Sequence, residues 1–413
     1  MSAAGTTGHR DRLPNGVPLA VRYRPGVEVT TVSVWILAGS RHEDRPGAAH
    51  LFEHVVMQAV PPGRRDRVVD EIESTGGEAN AITTRDHVVL YARVPTGDAA
   101  LALTILAAAA AAPRFDPDVV AGERRVVQEE LRLAAADPTD QVHDVFFAAA
   151  FAGHPMGRPV GGTVDGVAGL GAAELAGWAA QSVRPDLLGV VASGGLDPAA
   201  VRAALLDGPL ATMAGTAGAR PAQEVPKLVP ARTDRPLVSD TVAVVLGGPA
   251  FALDDPRLDA AEVVLELLAG ANASVLTEEI RSRRGLSYDI SGGVSAYRDT
   301  GVWRVAVSTA PEHRDEVVDL ATGLLREVAR RGFSPAQVAL ARRRVAGLLR
   351  LEVESSLEEA LLRGRYALVG GRPGWNLPAH LDRLSTVDVD GVARCLREML
   401  DPLVVATAGG LAD

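Results

Sequence analysis

Two periodicities alternate along this chain. Val88-Val89-Leu90-Tyr91-Ala92-Arg93-Val94 reads as a strand, and the alanine-rich stretch 98–112 that follows reads as an amphipathic helix. In the second half, Val302-Trp303-Arg304-Val305-Ala306-Val307 and the stretch 312–331 repeat that order. A further match follows each pair. Arg114-Phe115-Asp116-Pro117 opens a helix carrying Arg124, Arg125, Val127, Leu131 and Arg132. At an offset of 218 residues, Gly332-Phe333-Ser334-Pro335 opens one carrying Arg342, Arg343, Val345, Leu349 and Arg350. The pattern predicts an internally duplicated α+β chain, each half an antiparallel β-sheet covered by helices on one face. Pro221, Pro226, Pro230 and Pro236 interrupt regular structure between the halves. The expected division is a first domain over 1–215, a linker over 216–236 and a second domain over 237–413.

At 413 residues the chain is too long for one ordinary core, which agrees with two domains. Its 47% apolar and 23% charged residues are proportions typical of soluble globular proteins. No apolar run reaches the roughly 18 residues of a membrane span. The opening MSAAGTTGHRDRLPNG lacks the apolar stretch of a secretory signal. A net charge of -10 with no evident basic face argues against nucleic acid as a partner. Cys395 is the single cysteine, so an internal disulfide or a thiolate metal cluster within one chain is excluded. A cytoplasmic protein is expected. Lys227 is the only lysine, and arginine supplies nearly all the positive charge.

Chemistry concentrates in His50-Leu51-Phe52-Glu53-His54. On a helix, positions i and i+4 share one side, so His50 and His54 can grip one metal ion. Glu53 stands beside them, able to hold a water without being a ligand. This H-x-x-E-H order is the inverzincin signature of zinc-dependent hydrolases. The flanking Ala48, Ala49, Leu51, Phe52, Val55, Val56 and Met57 are apolar, so the helix is expected to be partly buried, where charged groups need partners. Catalytic zinc takes three protein ligands and leaves one position open, so a third ligand is required. The stretch from Glu123 to Glu130 offers it. Glu123 and Glu130, seven apart, lie on nearly one side of a helix, with Glu129 turned away by about 100°. We take Glu130 as the ligand and Glu123 as a carboxylate that orients a ligand histidine or stabilises the site. Considered alone, these acids read as an ordinary solvated helix face. In the second half their places are held by Ala341 and Leu348, and no H-x-x-E-H occurs near 259–266. One metal-binding domain and one supporting domain are therefore expected.

These motifs resemble those of the M16 metallopeptidases, the pitrilysin-like group that includes the mitochondrial processing peptidase and bacterial two-domain relatives. The resemblance spans nearly the whole chain. His50-x-x-Glu53-His54, Gly76-Gly77-x-x-Asn80-Ala81, Glu123 with Glu130, His154-Pro155-x-Gly157-Arg158-Pro159, and Arg281 with Tyr288 stand in the family's order. Phe52 and the run Val55-Val56-Met57-Gln58 depart from relatives in packing rather than chemistry. The resemblance implies an M16/LuxS-like metallohydrolase fold in two homologous domains. It implies zinc on His50, His54 and Glu130, and Glu53 activating the water. A peptide substrate would add as a strand along Gly77, Asn80 and Ala81, with His154 a further contact. Arg281 and Tyr288 would contact the substrate or its developing oxyanion. Helical spacing does not explain why these two should meet, because Gly285 is expected to end the helix between them. Two chains, as a homodimer or with another M16 chain, would enclose unfolded peptides. The alternative is an active or scaffold subunit of a heterodimer, one that processes the leader of a ribosomally made peptide.

Overall fold

The alternating runs become the strands of two sheets in a computed structural model that describes residues 7–215, 224–371 and 375–410. The first sheet comprises β1 (Thr7–Arg12), β2 (Pro18–Tyr23), β3 (Val29–Ile36), β4 (Glu78–Thr83), β5 (Val88–Pro95) and β6 (Leu188–Gly194), in the order β1-β2-β6-β3-β5-β4. The second comprises β7 (Ala231–Arg235), β8 (Val242–Ala250), β9 (Ile290–Ala296), β10 (Gly301–Thr309) and β11 (Val404–Gly409), in the order β7-β11-β8-β10-β9. The α+β class is as expected, but the sheets are mixed rather than antiparallel. β2 pairs with β6 in parallel, and β7 pairs with β11 in parallel. Each of these pairs joins an early strand to the last strand of its sheet, which returns through a long crossover, the connection that parallel neighbours require.

β7 lies inside the segment expected to be linker. Pro230 and Pro236 bracket it without breaking it. An edge strand needs hydrogen bonds on one side only, so prolines are tolerated at its ends. Residues 216–223 of the expected linker lie outside the described residues.

The helices used below are α1 (Ala48–Gln58), α2 (Ala99–Ala111), α3 (Pro117–Ala136), α4 (Pro138–Ala150), α5 (Leu258–Leu265), α6 (Arg314–Arg331), α7 (Pro335–Glu352), α8 (Ser356–Gly364) and α9 (Leu377–Ser385). α2 is buried on nearly every side, not along one stripe, because alanine at 107–110 lets neighbours approach all round. α3 and α7 start 218 residues apart, as do α4 and α8, so the repeat extends into the structure.

Contacts divide the chain into two units, and neither is contiguous. One holds Met1–Leu131, Pro159–Gln223 and Glu352–Asn376; the other holds Arg132–Arg158, Glu224–Leu351 and Leu377–Asp413. A single cut at 216–236 thus misses an exchange: α4 packs in the second unit and α8 in the first. In the first unit Val32, Val34 and Ile36 of β3 join the apolar core with α2. The alternate residues face the other way. There Thr31 Oγ1 lies 2.9 Å from Ser356 Oγ, and Gly364 meets Trp35 so closely that an added Cβ would stand 2.2 Å from its ring. Helices therefore cover both faces of this sheet, where one was expected. In the second unit, Val142, Phe146, Phe147 and Ala150 of α4 build a core with Val245, Val302 and Ala406.

Candidate metal centre

α1 starts after Gly47, whose φ of 92° lies in the left-handed region. Burial of Ala48, Ala49, Leu51, Phe52, Val55 and Val56 fixes the rotation of this helix. His50, Glu53 and His54 are left on the remaining face, and the two imidazoles meet edge to face with centroids 4.8 Å apart. α3 is anchored the same way by Val120 and Val127. Glu123 and Glu130, spaced by the same seven residues, reach the histidines.

His50 Nε2 lies 3.9 Å from Glu130 Oε1, and His54 Nε2 lies 3.5 Å from Glu130 Oε2. One ligand atom from each of His50, His54 and Glu130 falls within 4.8 Å of the others. Glu123 Oε2 is 3.3 Å from the opposite ring nitrogen, His54 Nδ1. Two imidazole nitrogens and one carboxylate oxygen are a donor set that zinc takes in hydrolases. Burial and the neighbouring His54 push His50 below its ordinary pKa, with Glu130 pulling the other way. The neutral ring, whose lone pair a metal takes, is the favoured form. His50 Nδ1 has no hydrogen-bond partner among the described residues. Gly161 backs that ring closely, and an added Cβ would stand 3.3 Å from Nδ1. The residues present fit zinc.

Glu53 is held by a residue the motif does not contain. Thr83, the last residue of β4, donates its hydroxyl to Glu53 Oε2. Burial pushes the Glu53 carboxyl above its ordinary pKa; Thr83 and His54 oppose the rise without cancelling it. A raised carboxylate is better matched to taking a proton near neutral pH. No spacing rule links Thr83 to Glu53, which lies 30 positions earlier. Only the pairing of strand and helix brings them together.

β4 is an edge strand, with β5 as its single partner. Gly77 leads into it at a point where an added Cβ would lie 2.4 Å from Val94, so only glycine passes. Asn80 sits opposite Tyr91, and its Oδ1 accepts from the backbone N–H of Ala81 at 2.8 Å. The Ala81 side chain is buried.

Arg281, Tyr288 and His154 belong to the second unit. The helical segment Thr277–Arg283 stops before Gly285, whose φ is 65°. The turn folds Tyr288 back until the Arg281 guanidinium stands 5.1 Å over its ring. A reversal of the chain therefore supplies the meeting that helical spacing did not explain. Tyr288 is 85% exposed. His154 caps its own loop, with Nδ1 accepting from Met156 N at 3.1 Å, and its Nε2 faces Glu224 O, from a distant segment, at 3.3 Å.

The second unit also gathers Asp259 and Glu262 of α5 with His380 of α9. His380 Nε2 is 3.1 Å from Asp259 Oδ1, and Arg383 Nε is 2.7 Å from Asp259 Oδ2. Two acids face two cations, so the charges close without an added ion.

The profile described as Insulinase (Peptidase family M16) matches residues 19–164, and that described as Peptidase M16 inactive domain matches 171–345. An uncharacterized zinc protease of Mycobacterium tuberculosis is 30% identical over 408 residues, covering 95% of this chain and 92% of that one. The mitochondrial-processing peptidase subunit beta of Blastocladiella emersonii is 29% identical over 402 residues, covering 94% and 85%. A solved protease from Helicobacter pylori shares the fold at a TM-score of 0.87 and 19% identity, covering 98% of this chain and 99% of its own. A solved peptidase M16 inactive domain from Pseudomonas fluorescens gives 0.87 at 18% identity, with the same coverage of 98% and 99%. The fold is the one these solved M16 peptidases share. The chain belongs to peptidase family M16. Among the described residues no helix is long and apolar enough to cross a membrane.

Proposed function

We propose that this chain is a zinc-dependent endopeptidase acting on unfolded peptides. His50, His54 and Glu130 hold the metal and Glu53 is the general base. The reading is carried by one observation: the convergence of a ring nitrogen from each of His50 and His54 and a Glu130 carboxylate oxygen within 4.8 Å, with Glu53 on the same helix face. Bound zinc supplies a Lewis acid that lowers the pKa of a water and polarises a carbonyl.

The chain's own groups do the rest. Glu53 takes the proton of the attacking water and passes it to the leaving amine. Thr83 fixes one Glu53 oxygen, so the carboxylate does not have to be oriented during reaction. Glu123 accepts from His54 Nδ1, which sets the tautomer that leaves Nε2 free as a ligand. The open edge of β4 pairs with substrate backbone, a mode that accepts extended chains and rejects folded ones. Arg281 and Tyr288 supply an exposed cation and phenol for the substrate. One chain carries the metal motif as well as the Arg281/Tyr288 pair, which favours a homodimer enclosing the peptide. Purified Glu53→Gln is expected to retain wild-type zinc content while cleavage of a fluorogenic peptide falls by orders of magnitude. Wild-type cleavage by that variant rules out Glu53 as the base.

A further inference from the structure

Away from the metal centre, the first unit gathers more positive charge than its acids balance. Arg22 of β2 places Nε 3.0 Å from Glu359 Oε1, and Arg24, just past the strand, places Nη2 3.8 Å from Oε2. Arg363, one turn along α8, comes within 3.5 Å of Oε1. Arg10 joins them from β1, whose register sets Gly8 opposite Arg22 and Arg10 opposite Ala20. Three guanidiniums thus share one carboxylate, with the charge of Arg10 acting on Arg363 nearby, and the Glu359 Oε2 also accepts from Ser193 Oγ at 2.8 Å.

The pairing leaves donors unused. The Arg363 side chain is 6% exposed. Its Nη1 donates to Trp375 O at 3.0 Å, but its Nε is buried without a hydrogen-bond partner, as is the Nε of Arg24. Burial, Arg22 and Arg10 push Arg363 below its ordinary pKa, against the pull of Glu359. The side chains of Arg22 and Arg24 keep 21% of their surface open, so the group is reachable from solvent. The repeat does not demand any of this: α4, the counterpart of α8, meets its own sheet through Val142, Phe146 and Phe147.

We propose that Arg22, Arg24 and Arg363, arranged around Glu359, form with the neighbouring Arg10 of β1 a binding site for a phosphate-type oxyanion, free or carried on a larger molecule. Guanidinium forks match the spacing of phosphate oxygens, and hydrogen bonds between two ionised groups are the strong ones. A dianion leaves the cluster close to neutral and is met from solvent by the partly open side chains of Arg22 and Arg24. Glu359 holds the arginines in place and competes with the ligand. The site shares no residue with the metal centre and does not depend on the peptidase reading.

The test is calorimetric titration of the full chain with inorganic phosphate and with phenyl phosphate, at constant ionic strength. Saturable binding of either upholds the site, and the better ligand tells whether a free ion or an ester fits. Arg24→Gln, checked for folding by circular dichroism, is expected to weaken binding by about tenfold or more. Glu359→Gln is expected to bind several-fold tighter, because a competing negative charge is gone; a merely structural carboxylate has no reason to do so. No saturable binding of either compound overturns the proposal. So does binding that Arg24→Gln leaves unchanged.

Discussion

His380 is 1% exposed, with Nε2 3.1 Å from Asp259 Oδ1 and 3.7 Å from Glu262 Oε2. Burial pulls its pKa down, but hydrogen bonds to Asp259 and Glu262 and their charges outweigh it. The imidazole is held at about 9 against an ordinary 6.5. A folded value above the unfolded one means that the charged cluster contributes its full stability below pH 6.5. That contribution fades as pH rises through about 9. The difference between the two values corresponds to about 3 kcal/mol. Groups common to wild type and variant cancel in the difference between them, and few of this chain's other side chains titrate at the alkaline end. Lys227 is its only lysine, and burial pushes the Cys395 thiol up to about 12. Urea unfolding of wild type and His380→Gln at pH 6, 7.5 and 10 measures the effect. Wild type is expected to be the more stable at pH 6, and the gap to narrow by about 3 kcal/mol by pH 10. A gap that stays constant across the window refutes a charged His380 in the folded state.

Two further predictions concern the metal centre. Glu123→Ala removes the acceptor for His54 Nδ1 and is expected to lower zinc affinity by about 10–100-fold in chelator competition. Unchanged affinity would return Glu123 to the ordinary acids of a helix surface. Thr83→Val leaves every ligand in place, so zinc content should hold. Peptide turnover should fall by about 10–100-fold, since a hydrogen bond to a charged group is worth about 1.5–3 kcal/mol. Thr83→Ser should restore most of it, and a valine variant as active as wild type would strip Thr83 of its positioning role.

Much of this protein was legible in local pattern. Alternation located β5 and β10, and the 3.6-residue period located the helices α3 and α6. The i, i+4 spacing of His50 and His54 fixed their common face, because apolar neighbours allow α1 only one rotation. Glu123 and Glu130 were separable from Glu129 for the same geometric reason. They reach opposite nitrogens of His54, at 3.3 and 3.5 Å. Each of these is a relation within one helix or one strand, where sequence distance and spatial distance are tied together.

What the pattern left open were relations across long stretches of chain. Amphipathicity says that α4 and α8 each bury a face, but not against which sheet; each packs in the unit built mostly from the other half. β7 was hidden among prolines because an edge strand leaves little trace in composition. The hydroxyl on Glu53 and the arginines around Glu359 come from elements that pairing alone makes neighbours. Sequence by itself determined which side chains each element presents and on which face. Tertiary structure decided which faces meet, because that choice is settled by packing and charge summed over distant segments and no single segment carries it.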